Sequence, residues 1–417
     1  MESMIKDKLT DYIDKNDLLT KHQHGFMQQR SCLTNLLEAL ECWTEALDSG
    51  YGVDVLFLDY RKAFDSVPHM KLLEKLEQLG IRNNLLRWIG KFLTARTLRV
   101  GVRGTLSYWI DILSGVPQGS VLGPLLFLLF VNDLPDWIGS NLKMFADDTK
   151  LWRTQRTAMD SEILQKDLDS LLEWSIKWQL RLNPSKCKLM HVGNRVGADY
   201  FMVDESGYRI KIEEVKTEKD LGVCIRSDLK QSTQCIESAR RARSVLGMVR
   251  RNFRRLDPED LLLIYKTYVR PHMEYCVQAW SPYQIKDIQC LERVQRTATK
   301  LVPVLRKLPY EERLQRLGLT TLEKRRCRGD LIETFKIMTG KEKVSSQQFF
   351  KPSNTGHDCR GHSMKLAVTS CRIDIRKNFF SRRVVQHWNR LPQHVVDAPS
   401  VNSFKSRLDR HWQDMGT

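Results

Sequence analysis

Leu142-Lys143-Met144-Phe145-Ala146-Asp147-Asp148-Thr149-Lys150-Leu151-Trp152 is the stretch that decides the fold. Its arms are apolar and it bends at Ala146-Asp147-Asp148, so it reads as a β-hairpin with two adjacent carboxylates at the turn. Upstream, Val53-Asp54-Val55-Leu56-Phe57-Leu58 is a short β-rich run that stops abruptly at Asp59, the pattern of a buried strand. Three carboxylates at the ends of adjacent strands repel one another and are poorly solvated, a condition that a divalent cation relieves. Taken singly, Asp-Asp is ordinary turn chemistry and Asp59 a helix cap. Taken together, Asp59, Asp147 and Asp148 suit a pair of Mg²⁺ ions, with Mn²⁺ as the alternative. In-line nucleotidyl transfer needs such a pair, one ion activating a 3′-hydroxyl and the other steadying the triphosphate.

Working outward, residues 2–20 and 35–47 carry apolar positions at helical spacing, joined by a connector in which Ser31 is placed to cap the second helix. Helices are expected at 69–80 and 82–94, then a hairpin with arms Thr97 to Val102 and Ser107 to Ile112. The loop Ser114-Gly115-Val116-Pro117-Gln118-Gly119-Ser120 leads into an apolar helix with Pro124 in its first turn. A long helix over 160–180 and a strand over 186–192 complete an order that is α+β rather than doubly wound. The second half is mainly helical. Cys235, Ala239, Ala242, Leu246, Val249 and Phe253 form one apolar stripe, flanked by a ridge of Arg240, Arg243, Arg250 and Arg254. Further basic helices are expected to about 338, then a linker at 344–363 and a terminal unit at 371–412.

The chain has 417 residues and a net charge of +17. Residues 1–200 carry 25 basic and 25 acidic side chains, so the whole excess lies in 201–417. A balanced first half and a cationic second half point to a polyanionic partner, nucleic acid by default. Hydrophobic residues at 41% exclude a disordered tail protein. The ten Cys show neither a CxxC pair nor zinc-finger spacing, which argues for a reducing compartment. The longest apolar run, Val121 to Val131, is about half of what a bilayer span needs, so a soluble intracellular protein with no membrane partner is expected.

Phe57-Leu58-Asp59-Tyr60-Arg61-Lys62-Ala63-Phe64-Asp65, the loop from Ser114 through Phe127, and Phe145-Ala146-Asp147-Asp148-Thr149 resemble the A, B and C motifs of reverse transcriptases. Their wording is similar to that of non-LTR (LINE-type) retrotransposons, within them the jockey-like and chicken-repeat group. Gln23-His24-Gly25-Phe26 with Arg30-Ser31-Cys32-Leu33-Thr34-Asn35, Asn183-Pro184-Ser185-Lys186-Cys187-Lys188 (motif D) and Lys219-Asp220-Leu221-Gly222-Val223 (motif E) support the match. So do Val269-Arg270-Pro271-His272-Met273-Glu274-Tyr275-Cys276 and His387-Trp388-Asn389-Arg390-Leu391-Pro392.

The resemblance implies an RNA-directed DNA polymerase of right-hand architecture: partial fingers at 1–50, a palm at 51–195, a connector and primer grip at 196–229, a helical thumb at 230–305 and a basic helical C-terminal extension at 306–417. It implies an RNA template, a DNA primer or target, dNTPs, and action in the nucleus. It makes Asp59 and Asp147 metal ligands with Asp148 their neighbour, and Lys186 a proton donor to pyrophosphate. Phe64 becomes a steric gate against ribose, Gln118 and Gly119 contacts to the nucleotide or template, and Arg30 a triphosphate clamp. Leu221 and Gly222 support the primer end, while Arg240, Arg243, Arg250 and Arg254 grip the duplex. An exposed loop arginine, a surface lysine, a core phenylalanine and a solvated cationic face remain the plainer readings of these positions. Trp388 and His387 either stack on bases or belong to a core. The family's upstream endonuclease and early fingers segment have no counterpart here, as in a 5′-truncated element, and a catalytically silent nucleic-acid-binding remnant is therefore the alternative. An RNA-copying RNA polymerase is a further one, against which Phe64 argues.

Overall fold

The structure is a computed structural model that describes residues 1–94, 96–193, 197–204, 206–253, 255–353 and 361–414. Two compact units form, one from residues 1–35 and 51–216, the other from 36–50 and 217–417. Residues 36–50, expected with the fingers, thus fold with the second unit. There the buried Glu41 side chain accepts from Arg376, and Asp48 accepts the backbone N–H groups of Arg372 and Ile373.

The first unit is built on a five-stranded sheet of β1 (Gly52–Leu58), β2 (Asn141–Phe145), β3 (Asp148–Gln155), β4 (Lys188–Val192) and β5 (Glu213–Glu214). Their order is β5-β4-β1-β3-β2, antiparallel except for β5 against β4. β1 is central and almost wholly buried, which is why Val55 to Leu58 is unbroken apolar rather than alternating; the one buried charge, Asp54, is partnered by His191 and Tyr200. Helix Gly123–Val131 is buried nearly all round. Its apolar sequence fills the core of this unit, and among the described residues no helix is long and apolar enough to cross a membrane.

Around that helix one cation is buried deliberately. Lys75 Nζ donates to the Phe130 carbonyl at 2.6 Å and to Asp133, and lies over the Phe130, Trp174 and Trp178 rings. Burial pulls its pKa down to about 8, against the partial restraint of Asp133. Ser31 caps helix Cys32–Asp48 as expected, its Oγ accepting from the Thr34 N–H while Thr34 Oγ1 accepts from the Ser31 N–H. The hairpin expected between 97 and 112 forms as two short ladders, Arg96–Leu98 with Ile110–Ile112 and Gly101–Val102 with Thr105–Leu106.

Among the described residues, the regular structure of the second unit is helical apart from one hairpin, Thr217–Asp220 with Val223–Arg226. Its long helix Ser232–Asn252 buries Cys235, Ala239, Ala242, Leu246 and Val249, as the stripe requires. Phe253 departs from that stripe: it follows the last helical residue, takes an extended backbone and is half exposed. Trp388 is fully buried, its indole N–H donating to the Met364 carbonyl and its ring meeting His362 and Phe404, so it is a core residue and offers no free face to a base.

Candidate active site

β1 ends on Leu58 opposite Thr149, so Asp59 emerges one residue beyond the last ladder pair. The β2–β3 hairpin closes with Phe145 opposite Asp148, leaving Ala146 and Asp147 as a two-residue turn. The bend is therefore one residue shorter than the sequence suggests, and Asp148 is the exposed first residue of β3. Ala146 has φ +57°, a left-handed conformation that costs a residue with a β-carbon about 1–2 kcal/mol.

Burial raises the pKa of the Asp147 carboxyl, and the Asp59 carboxylate pushes it the same way. Asp59 Oδ2 is buried without a hydrogen bond and lies 3.7 Å from Lys186 Nζ. Chain pairing places that lysine: the Asn183 N–H donates to the Asp59 carbonyl and the Arg61 N–H to the Arg181 carbonyl, both at 2.8 Å. An orphaned carboxylate oxygen beside a second carboxylate whose ionisation is disfavoured fits a cation as the missing partner. Among the described residues, no group of three or more His, Cys, Asp or Glu side chains is arranged to hold a metal ion. The pair that converges is Asp59 with Asp147; Asp148 stands one step along the strand.

The Ser114–Ser120 loop is fastened to the segment that follows Asp59. The Val116 N–H donates to the Phe64 carbonyl and the Gly115 N–H to that of Val67, while His69 Nε2 donates to the Gly115 carbonyl. Gln118 Nε2 donates to Asp65 Oδ1 at 2.8 Å on the exposed side. Gly119 has φ +82° with open space where a side chain would be, so a ligand can approach its backbone closely. Phe64 is half-buried, stacked on Phe127 at 4.2 Å and edge-on to the exposed Phe26.

What the residue list from sequence lacks is the brace behind the carboxylate turn. Gln23 Oε1 accepts from the Ala146 and Gly25 N–H groups at 2.8 and 2.7 Å, and Gln23 Nε2 donates to the Ala146 carbonyl at 3.3 Å. Asn35 Nδ2 and the His24 N–H both donate to the Met144 carbonyl. A Cβ on Gly25 would lie 2.3 Å from the Ala146 nitrogen, so only glycine permits this approach. Arg30 serves the same brace, its Nη1 donating to the Lys21 and Gln23 carbonyls. The Gln23-His24-Gly25 wording was the one available signal, and it marked family rather than role. Gln23→Ala is expected to slow nucleotide incorporation roughly 10- to 100-fold, since a small misplacement of a reacting group costs that much. Single-turnover kinetics on a preformed template-primer would check it; an unchanged rate with unchanged divalent-ion dependence would remove the positioning role.

In the second unit Leu221 (φ +45°) and Gly222 (φ +84°) form the two-residue turn of the hairpin, with the positive φ at both positions that such turns favour. Tyr275, which in sequence appears only as part of a family-like segment and without a role, donates its hydroxyl to the Leu221 carbonyl at 3.0 Å. Arg240, Arg243 and Arg250 are exposed on the helix Ser232–Asn252. Arg240 is paired with Glu237, and Arg243 reaches toward the Cys290 carbonyl. Arg254 lies outside the described residues.

A family model described as "Reverse transcriptase (RNA-dependent DNA polymerase)" matches residues 1–247. The chain is 32% identical over 207 residues to the RNA-directed DNA polymerase from mobile element jockey of Drosophila melanogaster, an alignment covering 48% of this chain and 22% of that protein. It is 26% identical over 311 residues to the probable RNA-directed DNA polymerase from transposon X-element of the same species, covering 72% of this chain and 34% of the relative. The chain thus spans a minority of these relatives' lengths. Among solved structures, apo telomerase from Candida tropicalis superposes with a TM-score of 0.44 and 11% identity, over 72% of this chain and 50% of that one.

Proposed function

The chain belongs to the reverse transcriptase (RNA-dependent DNA polymerase) family, jockey-like among non-LTR retrotransposons, and on that premise we propose that it adds deoxynucleotides to a DNA 3′ end against an RNA template. The observation that carries the reading is the convergence of Asp59 and Asp147 at the ends of paired strands. Divalent-metal dependence follows from the family; that the metal is Mg²⁺, and that two ions bind, is part of the proposal. Asp59 and Asp147 would hold them, with Asp148 an outer neighbour. When bound, the ions supply Lewis-acid assistance to the 3′-hydroxyl and offset the triphosphate charge.

The protein's own groups do the rest. Gln23 and Gly25 hold the Asp147 turn rigid, and the Asp59 carboxylate keeps Lys186 Nζ nearby as a proton source for the departing pyrophosphate. Gln118 and the open backbone of Gly119 meet the incoming nucleotide or the template, with Arg30 beside the triphosphate. Leu221 and Gly222 support the primer end through backbone. Arg240, Arg243, Arg250 and Arg254 hold duplex phosphates. Intracellular action with access to nuclear DNA belongs to the same proposal.

The test is primer extension with dNTPs and Mg²⁺ on a poly(rA) template with an oligo(dT) primer. Template-dependent extension supports the reading; salt-sensitive RNA binding with no extension would make the chain a binding remnant. Phe64 gives a second test. If its ring fills the space of a ribose 2′-hydroxyl, Phe64→Val should raise rNTP use relative to dNTP use by about 10- to 100-fold, the scale of small steric discriminations. An unchanged ratio, with the variant folded, would leave Phe64 as a core residue stacked on Phe127.

A further inference from the structure

The second unit contains a cavity of about 530 Å³, lined by Lys266, Arg270, Lys324, Arg325, Arg328 and Trp412 among others. One wall comes from the π-helical turn Tyr265–Val269, a widened turn often found at functional sites, and from Arg270 just after it. A second wall is the first half of the helix Leu322–Met338, and Trp412 comes from the helix Val401–Asp414.

The charge there is unbalanced. Glu274 accepts from both Nε and Nη2 of Arg325 and lies 3.5 Å from Arg270 Nε, so one carboxylate serves two guanidinium groups. Arg270 Nε is buried without a hydrogen-bond acceptor. Burial and the neighbouring Arg325 charge both disfavour the cationic form of Arg270. Asp409 is taken by Arg328 at 2.6 and 2.7 Å. Three arginines thus occupy these two carboxylates while Lys266 and Lys324 add two further cations to the lining, and an anion entering the cavity would relieve the excess. The volume lies within the usual range for small-ligand sites, ample for one nucleotide. The half-buried Trp412 supplies an aromatic ring of the kind on which unpaired bases stack.

We propose that this cavity seats one unpaired nucleotide of a single-stranded nucleic acid, with Lys266 and Lys324 on its phosphates and Trp412 against its base. That the anion is a nucleic acid rests on the polymerase reading above; the cavity and its charge do not. The site is separate from the Asp59–Asp147 centre in residues and in purpose: it retains a strand and performs no chemistry.

The test uses the full chain and a fluorescein-labelled 20-nucleotide single-stranded RNA, followed by anisotropy across a KCl series. Lys266→Ala/Lys324→Ala is expected to flatten the slope of log affinity against log salt by about 1.4, roughly 0.7 per lost phosphate contact. Trp412→Ala is expected to weaken binding about 5- to 100-fold at fixed salt, with the slope kept and duplex RNA binding unaffected. Melting curves matching the unsubstituted chain exclude misfolding. Wild-type affinity and slope in both variants would overturn the proposal. So would an equal loss on duplex RNA, or displacement of the RNA by millimolar inorganic phosphate at constant ionic strength. Primer extension run in parallel separates the two readings: extension with unchanged single-strand binding in the variants removes this site alone. Absent extension with the expected losses removes the polymerase reading and leaves the site.

Discussion

Asp147→Asn is expected to lower dNTP incorporation by a factor on the order of 10³ or more while leaving template-primer affinity within about twofold. The substitution keeps shape and removes charge at the turn between β2 and β3, where Asp147 faces Asp59. Cation-assisted stabilisation in such a centre supplies several kcal/mol, and each 1.36 kcal/mol is a factor of ten in rate. The same variant should melt at a slightly higher temperature in metal-free buffer. Burial and the Asp59 charge both raise the Asp147 pKa, which means that its ionised form opposes folding when no cation is present. Activity and stability therefore move in opposite directions, as expected where a fold holds a strained site. Quenched-flow extension and calorimetry would measure the two effects. Equal extension by the variant and the unsubstituted chain would end the assignment of Asp147 as a catalytic ligand.

Arg376→Met is expected to cost the second unit about 3–5 kcal/mol, the penalty for leaving a buried charge without its partner. Arg376 and Glu41 are 2% and 1% exposed at their side chains. Arg376 Nη2 donates to Glu41 Oε1 at 2.6 Å and Nη1 to Thr44 Oγ1 at 2.9 Å, tying the helix Cys32–Asp48 to a segment more than 300 residues away. Desolvation already raises the Glu41 pKa, and Arg376 is the main restraint on that rise. Without the arginine the folded pKa climbs further above the unfolded value, so the folded state binds more protons than the unfolded state between those two values. Stability must then fall as pH rises through that window, and the deficit of the variant should be smaller near pH 5 than near pH 8. Urea midpoints at the two pH values would show it. Glu41→Leu/Arg376→Met should recover most of the loss, because an apolar pair of similar volume avoids the desolvation altogether. A double variant as unstable as the single one would show that packing, not charge, dominates there.

Much of the site was legible because its signals are local. A short β-rich run whose apolar end, Val55 to Leu58, stops at Asp59, and an apolar hairpin with acidic residues at its bend, state strand, strand end and carboxylate within a few residues each. The motif wording around them was specific enough to indicate the family, and the α+β order was readable from periodicity. Where periodicity alone was extended too far it failed by a residue: Phe253 continues the stripe on paper, but the helix stops at Asn252 and the ring is half exposed. The sequence suggests a three-residue bend because it does not reveal that Asp148 already pairs with Phe145.

The brace that Gln23 gives to Ala146 spans 123 residues, and the ion pair of Glu41 with Arg376 spans 335. Neither leaves a trace in spacing, because contacts at such separations are set by which faces pack together and not by the interval between residues. Nor could composition show that five cations of the second unit line one cavity instead of spreading over a solvated surface. The sequence by itself determined the chemistry this chain can carry: which residues are acidic, where strands end, which half is cationic. Tertiary structure alone decided which of those groups meet. Register places Asp59 beside Asp147, burial raises the pKa of Asp147, and long-range packing turns a surplus of arginine and lysine into a particular site.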